Sequence, residues 1–170
     1  LLINTAFDHV LYPPGISVDD LSLGYGAPVQ AMNVDENQFV VQITPTSAQR
    51  PQLTSQLADG AVILKNHLRL VGKGEHYCAL HIASDPRNRY YFTGCVHRDA
   101  GIQSDTLSLR NVGLQLQHTL PEMLRAHNIS FTGHVRETTP RTPAYYHETH
   151  HSAPLSQLVV AMLKESDNLI

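Results

Sequence analysis

Tyr77-Cys78-Ala79-Leu80-His81-Ile82-Ala83-Ser84-Asp85-Pro86-Arg87-Asn88-Arg89-Tyr90-Tyr91-Phe92-Thr93-Gly94-Cys95-Val96 is the stretch that decides how this chain folds. Two β-favouring runs, 77–83 and 90–96, enclose the turn signal Asp85-Pro86-Arg87-Asn88,. In a hairpin centred between Pro86 and Arg87, Cys78 and Cys95 lie equally far from the turn and face each other. Opposed residues of a non-hydrogen-bonded antiparallel pair are about 4.5 Å apart at Cα, near the span a disulfide accepts. These are the only two cysteines in the chain. A Cys78–Cys95 disulfide is therefore expected, and with it an oxidising compartment. The alternatives are two unpaired thiols or a zinc site. The zinc site would need His76, His81 or His97 as further ligands, and strand alternation scatters these over both faces.

Working outward toward the N-terminus, Val62, Leu64, Leu68 and Leu70 predict a strand within 61–71. Gly72-Lys73-Gly74 closes it as a turn and lacks the spacing of a phosphate loop. The runs 29–34 and 39–44 flank Asp35-Glu36-Asn37 and predict a second hairpin, which Pro45 ends. Residues 46–60 are rich in Ser, Thr, Gln and Pro and read as a linking loop. A long loop punctuated by Pro13-Pro14-Gly15 and Gly24 precedes the hairpin, and residues 1–3 read as a strand end. Toward the C-terminus, 106–110 predicts a short strand. Val112, Leu116, Leu120, Met123 and Leu124 predict a helix over 112–127, with Pro121 expected to break or kink it. Phe131-Thr132-Gly133 then leads into a strand at 134–138. The fold class expected is α+β, mainly antiparallel β.

The chain has 170 residues, 42% of them hydrophobic and 16% charged, a composition that folds into one or two small domains. A formal net charge of −3 argues against a nucleic-acid footprint, which needs a basic face,. No apolar run approaches the roughly 20 residues of a membrane span. The abrupt ends at Leu1-Leu2-Ile3 and Leu169-Ile170 read as cuts through secondary structure. A fragment of a longer protein is expected, with its targeting signal upstream. The eleven histidines read as solvated polar surface,.

Residues 141–151 are rich in Pro, Thr and His and read as a crossover. Within them, His147-Glu148-Thr149-His150-His151 matches the zincin pattern His-Glu-x-x-His. That pattern needs a helix, and Ser152-Ala153-Pro154 interrupts one at once. No metal or cofactor site is assigned. Beyond it, Leu155, Leu158, Val159, Met162 and Leu163 form one helical face, which Ser166 continues. Burying a hydroxyl without a partner costs on the order of 1–3 kcal/mol, so a hydroxyl in line with packing residues calls for a reason. The plain alternative is that Ser166, in Ser166-Asp167-Asn168, caps a helix restarting at Asp167.

Several segments in order carry a resemblance: Leu1-Leu2-Ile3-Asn4-Thr5, Ala27-Pro28 with Asp35-Glu36-Asn37, the two cysteines, Phe131-Thr132-Gly133, and Ser152-Ala153-Pro154-Leu155 through to Ser166-Asp167-Asn168. The chain resembles the class C low-molecular-mass penicillin-binding proteins, the periplasmic D-alanyl-D-alanine carboxypeptidase/endopeptidases of the penicillin-binding protein four type. In these serine peptidases a Ser-x-x-Lys, a Ser-x-Asn and a Lys-Thr-Gly motif meet in one cleft. The resemblance makes residues 1–140 a strand-rich insertion region of one or two subdomains, and 152–170 a helix of the catalytic domain. It implies that Ser166 relays a proton between the motif lysine and the leaving nitrogen, and that Asn168 holds the substrate carbonyl, with Asp167 structural. Peptidoglycan stem peptides and β-lactams are the partners implied for the complete enzyme, and the periplasm its location. Neither Ser-x-x-Lys nor Lys-Thr-Gly occurs in these 170 residues, so this chain alone is expected to be inactive. The apolar face of the last helix, without its usual cover, is expected to pack on a neighbouring chain as a homo-oligomer or to be poorly ordered. Two other functional readings stand beside this one: a non-catalytic β-rich binding module, and a metal-binding protein using the histidines of 147–151.

Overall fold

Phe39, Val41 and Ile43 are buried on one face of a strand, β2 (Gln38–Thr44), while Gln42 between them is exposed. This period-two pattern is that of a strand with one face in a core. The structure, a computed structural model, describes residues 2–4, 11–12, 14–138, 149 and 151–165. In chain order its elements are β1 (Leu2–Asn4), β2, β3 (Gln52–Ser55), β4 (Ile63–Val71), β5 (Leu80–Asp85), β6 (Arg89–His97), β7 (Gln103–Ser108), α1 (Val112–Ala126), β8 (Arg136–Thr138) and α2 (Leu155–Glu165).

Two three-stranded sheets share one core. The first has the order β3-β2-β7, with both neighbours antiparallel to β2. The second has the order β4-β6-β5, with β5 antiparallel and β4 parallel to β6. Phe39, Val41, Ile43 and Leu107 from the first sheet join Leu68, Tyr90, Phe92 and Val96 from the second. The Phe39 and Tyr90 rings meet edge to face with centroids 4.9 Å apart, a favoured aromatic geometry. A separate parallel pair, β1 with β8, lies beside the start of α1, where Val135 and Leu116 form a small second cluster. The α+β class with mostly antiparallel strands is as the residues imply, although β4 pairs in parallel where only hairpins were expected.

Three local expectations are corrected. Residues 29–34 form no strand. Both edges of β2 are taken by β3 and β7, and the loop is held instead by Asn37. That side chain is fully buried, donates to the carbonyls of Pro28 and Met32, and accepts from the Val34 amide at 3.1 Å. Asp35, Glu36 and Asn37 all have positive φ, a left-handed turn in place of a hairpin turn,. The linking loop expected over 46–60 contains strand β3. Finally, α1 runs through Pro121 without breaking. Proline removes one backbone donor, and the carbonyl left free belongs to exposed Gln117, where water can satisfy it. Asn111 caps the start of α1 by accepting from Leu114 N at 2.7 Å,. Asn128, at φ 59°, ends it with Ile129 N bonded to Leu124 O and Asn128 N to Arg125 O, the paired bonds of a left-handed helix stop.

The decisive hairpin differs in register. Asp85 opposes Arg89, so its loop is the three residues 86–88, with Asn88 left-handed at φ 54°. A turn followed by one left-handed residue is a common hairpin solution, and Asp85 Oδ1 supports it by accepting from Arg87 N at 2.8 Å. Strand pairs are therefore shifted by one residue relative to a loop centred between Pro86 and Arg87. Cys78 and Cys95 still form a disulfide, with Cα atoms 5.4 Å apart, because they meet diagonally at the open end, where Cys95 N bonds to Ala79 O. Gly94 permits the close approach there. It sits at φ 96°, and a Cβ would stand 1.9 Å from the Ala79 carbonyl oxygen.

Two predictions follow from this packing. Asn88 is fully buried. Its amide donates to Ala61 O and Asn111 O, and its oxygen accepts from Asn111 N at 2.8 Å. Asn88→Ala strands these groups and forces a non-glycine side chain without hydrogen bonds into a left-handed turn. It should cost about 2–4 kcal/mol in a denaturant titration, whereas Arg87→Ala, on the exposed loop, should stay within about 0.5 kcal/mol. Burial raises the Tyr90 hydroxyl pKa well above the ordinary phenol value of 10.0, although the nearby Arg110 opposes the shift. The unfolded chain ionises this phenol at lower pH than the folded chain does. Its contribution to stability is thus complete below pH 10 and is lost as pH rises above it. Tyr90→Phe should flatten the alkaline limb of a stability-versus-pH curve.

Candidate functional site

Helix α2 is the element that leads into Ser166-Asp167-Asn168. Its start is set by Pro154, whose carbonyl accepts from Gln157 N at 2.9 Å and Leu158 N at 3.2 Å. Gln157, Leu158, Ala161, Met162 and Leu163 in its interior are good helix formers, and Lys164 stands in the last turn, where a cation complements the helix dipole,. None of its described side chains is buried. Leu155 and Leu163 are each 73% exposed and Val160 50%. On the apolar face that the helical spacing defines, Leu155, Val159 and Leu163 are exposed while Leu158 and Met162 are half-buried. Glu165 is the last described residue. Ser166, Asp167 and Asn168 lie outside the described residues, as do His147, Glu148 and His150 of the histidine segment. His151 is described and exposed. Among the described residues no group of three His, Cys, Asp or Glu side chains is placed to hold a metal ion.

The described sites that no sequence pattern announces are polar anchors of the strand-rich region. Arg110 donates through Nη1 to Ser84 Oγ at 2.9 Å and through Nε to the Tyr12 hydroxyl at 2.8 Å, with its guanidinium 5.4 Å from the Tyr12 ring centre. Ser22 Oγ donates to the same Ser84 oxygen. The loop before β2 is thereby fastened to the end of β5. No local pattern announces such a bond, because Arg110 and Tyr12 stand far apart in the chain. Asn88 and Gly94, by contrast, sat in plain view as residues tolerant of left-handed backbone. Beside the disulfide lies an open groove of ≈470 Å³, with Leu80, His97, Gln103, Ser104 and Asp105 among its lining. Among the described residues no helix is long and apolar enough to cross a membrane.

Comparison with known proteins places this architecture. The model of the D-Ala-D-Ala carboxypeptidase 3 (S13) family matches residues 2–170. The D-alanyl-D-alanine carboxypeptidase DacB of Haemophilus influenzae is 24% identical over 157 residues, which are 89% of this chain and 32% of that protein. The crystal structure of penicillin binding protein 4 (dacB) from Haemophilus influenzae superposes with a TM-score of 0.84 at 22% identity, over 99% of this chain and 38% of that one. A second crystal structure of the same protein, complexed with a novel β-lactam, gives 0.63 at 23% identity over 82% of this chain and 33% of that one. The chain thus spans about a third of the length of the curated relative it matches. With the family model running from the first described strand through the Ser-Asp-Asn triplet, the chain belongs to the D-Ala-D-Ala carboxypeptidase 3 (S13) family.

Proposed function

We propose that this chain supplies the insertion region and the Ser-x-Asn helix of a periplasmic serine-type D-Ala-D-Ala carboxypeptidase/endopeptidase. The complete enzyme acts on peptidoglycan stem peptides and is acylated by penicillins. The observation that carries this is the family match through residue 170, with α2 described up to Glu165, the neighbour of Ser166 in the chain. The Cys78–Cys95 disulfide supports an oxidising compartment such as the periplasm,.

In this scheme the nucleophilic serine and its lysine come from a Ser-x-x-Lys outside these residues. Serine attack on the substrate carbonyl releases a proton to the lysine side. The Ser166 hydroxyl passes that proton to the leaving nitrogen, donating its own and accepting another, so the leaving group departs as a neutral amine. The Asn168 amide donates a hydrogen bond to the substrate carbonyl and fixes its approach, which is a positioning contribution to the barrier. Asp167 takes no part in the chemistry. A cap role alone would make Ser166 worth about 1 kcal/mol of stability and nothing in rate.

A fluorescent penicillin separates these roles. The 170-residue chain should take no covalent label, and a stoichiometric label would overturn the division of motifs. In the complete protein, Ser166→Ala should slow acylation by about 10²–10⁴-fold with little change in melting temperature, and Asp167→Ala should leave the rate nearly unchanged. Acylation of the Ser166→Ala protein at the wild-type rate would reduce the triplet to a helix cap.

A further inference from the structure

The charge of this chain is unevenly placed. Between residues 61 and 98, six cations (Lys65, Arg69, Lys73, Arg87, Arg89 and Arg98) stand against two anions, Glu75 and Asp85. The rest of the chain holds the other six Lys and Arg against thirteen Asp and Glu, out of totals of 12 and 15. A segment of charge +4 is therefore set in a remainder of −7. That segment is the sheet β4-β6-β5 and its turns.

The fold gathers part of this charge on one face. Leu68 and Leu70 of β4 and Tyr90 and Phe92 of β6 point into the core, so alternation turns Lys65, His67, Arg69, Tyr91 and Thr93 to the other side. Lys65, His67, Arg69, Thr93 and His81 are exposed. The register sets His67, Thr93 and His81 in one row across the three strands, and Lys65, Tyr91 and Ala83 in the next. Among the described residues Lys65, His67 and Arg69 have no ion-pair partner. Asp85, at the far end of the face, is already paired with Arg89 at 3.7 Å. Residues two apart on a strand are about 6.6 Å apart, so Lys65 and Arg69, four apart with His67 between them, offer cations about 13 Å apart, the spacing of every fourth residue in an extended peptide,.

We infer that the outer face of the β4-β6-β5 sheet is a docking surface for an anionic extended peptide, the carboxylate-bearing stem peptides of peptidoglycan. Charge complementarity selects the class. A row of cations beside a tyrosine, in a chain otherwise acidic, attracts carboxylates while the remaining surface repels them. The small width of the patch and the net charge of −3 disfavour a nucleic-acid duplex, which requires a broader basic footprint. The choice of stem peptide rests on the function proposed above. The face is built from β4, β5 and β6, none of which carries Ser166 or Asn168, and adds a second point of attachment to the same polymer,.

Co-sedimentation with intact peptidoglycan sacculi tests this. The chain should pellet with sacculi in low salt and be released near 0.5 M NaCl, as expected of exposed charge contacts. Lys65→Glu with Arg69→Glu, both exposed positions, should weaken binding about tenfold with an unchanged thermal melt. Sacculi whose carboxyls have been amidated should bind the wild-type chain equally poorly. Undiminished binding by the double variant, or by amidated sacculi, would overturn the assignment. So would tighter binding to duplex DNA or to anionic vesicles. A wild-type chain that ignores sacculi, while the complete protein is still acylated by penicillin, would remove this surface and leave the proposed function standing. Failure of both would remove the shared premise.

Discussion

The carboxamide of Asn88 ties together three elements that are not neighbours in the chain. Its nitrogen donates to Ala61 O just before β4 and to Asn111 O at the cap of α1, and its oxygen accepts from Asn111 N. Its own backbone closes the β5–β6 loop, and its carbonyl accepts from Ile63 N at the start of β4. Asn111 in turn caps α1. A buried amide left unpaired costs about 1–3 kcal/mol, so every group around it must be in place at once. That mutual requirement fixes where β4 begins, how the hairpin turns and where the first helix starts. The left-handed backbone of Asn88 is the condition for this arrangement, and asparagine tolerates it better than most residues.

Face patterns were readable in the residues, whereas partners were not. Phe39, Val41 and Ile43 announce a half-buried strand, and Val112, Leu116 and Leu120 a helix, because period alone specifies which side is dry. Period says nothing of which strand lies alongside, so the parallel match of β4 with β6 was invisible. The run 29–34 has strand-like residues but no free edge of β2 to join, and tertiary competition overrode its propensity. The hairpin loop differs by one residue from one centred between Pro86 and Arg87, for a definite reason. Asp85 and Asn88 satisfy each other's turn through a three-residue loop, and the turn chemistry of a left-handed asparagine was not weighed.

The candidate catalytic residues were legible only through resemblance. Ser166 and Asn168 carry no spacing signal by themselves, since a Ser-Asp-Asn triplet is also a good cap. What the physical pattern did carry is the apolar character of α2, much of it exposed. Leu155, Val160 and Leu163, at least half exposed, are more than a helix keeps in water without a partner. The strand-rich region, in contrast, has its own core shared by two sheets and its own disulfide. Its outward basic sheet emerged only when strand register was combined with charge, neither of which suffices alone.

The chain order of the strands also governs how the region assembles. β5 and β6 need close only a three-residue loop, whereas Ile43 of β2 meets Gln103 of β7 across some sixty residues. By loop-closure entropy alone the longer connection is about 2–3 kcal/mol harder to form. The Cys78–Cys95 bond spans a sequence separation of 17 and closes the open end of the β5–β6 hairpin. The covalent bond therefore fastens a contact local in sequence, whereas the two sheets are joined by hydrophobic burial between residues distant in the chain.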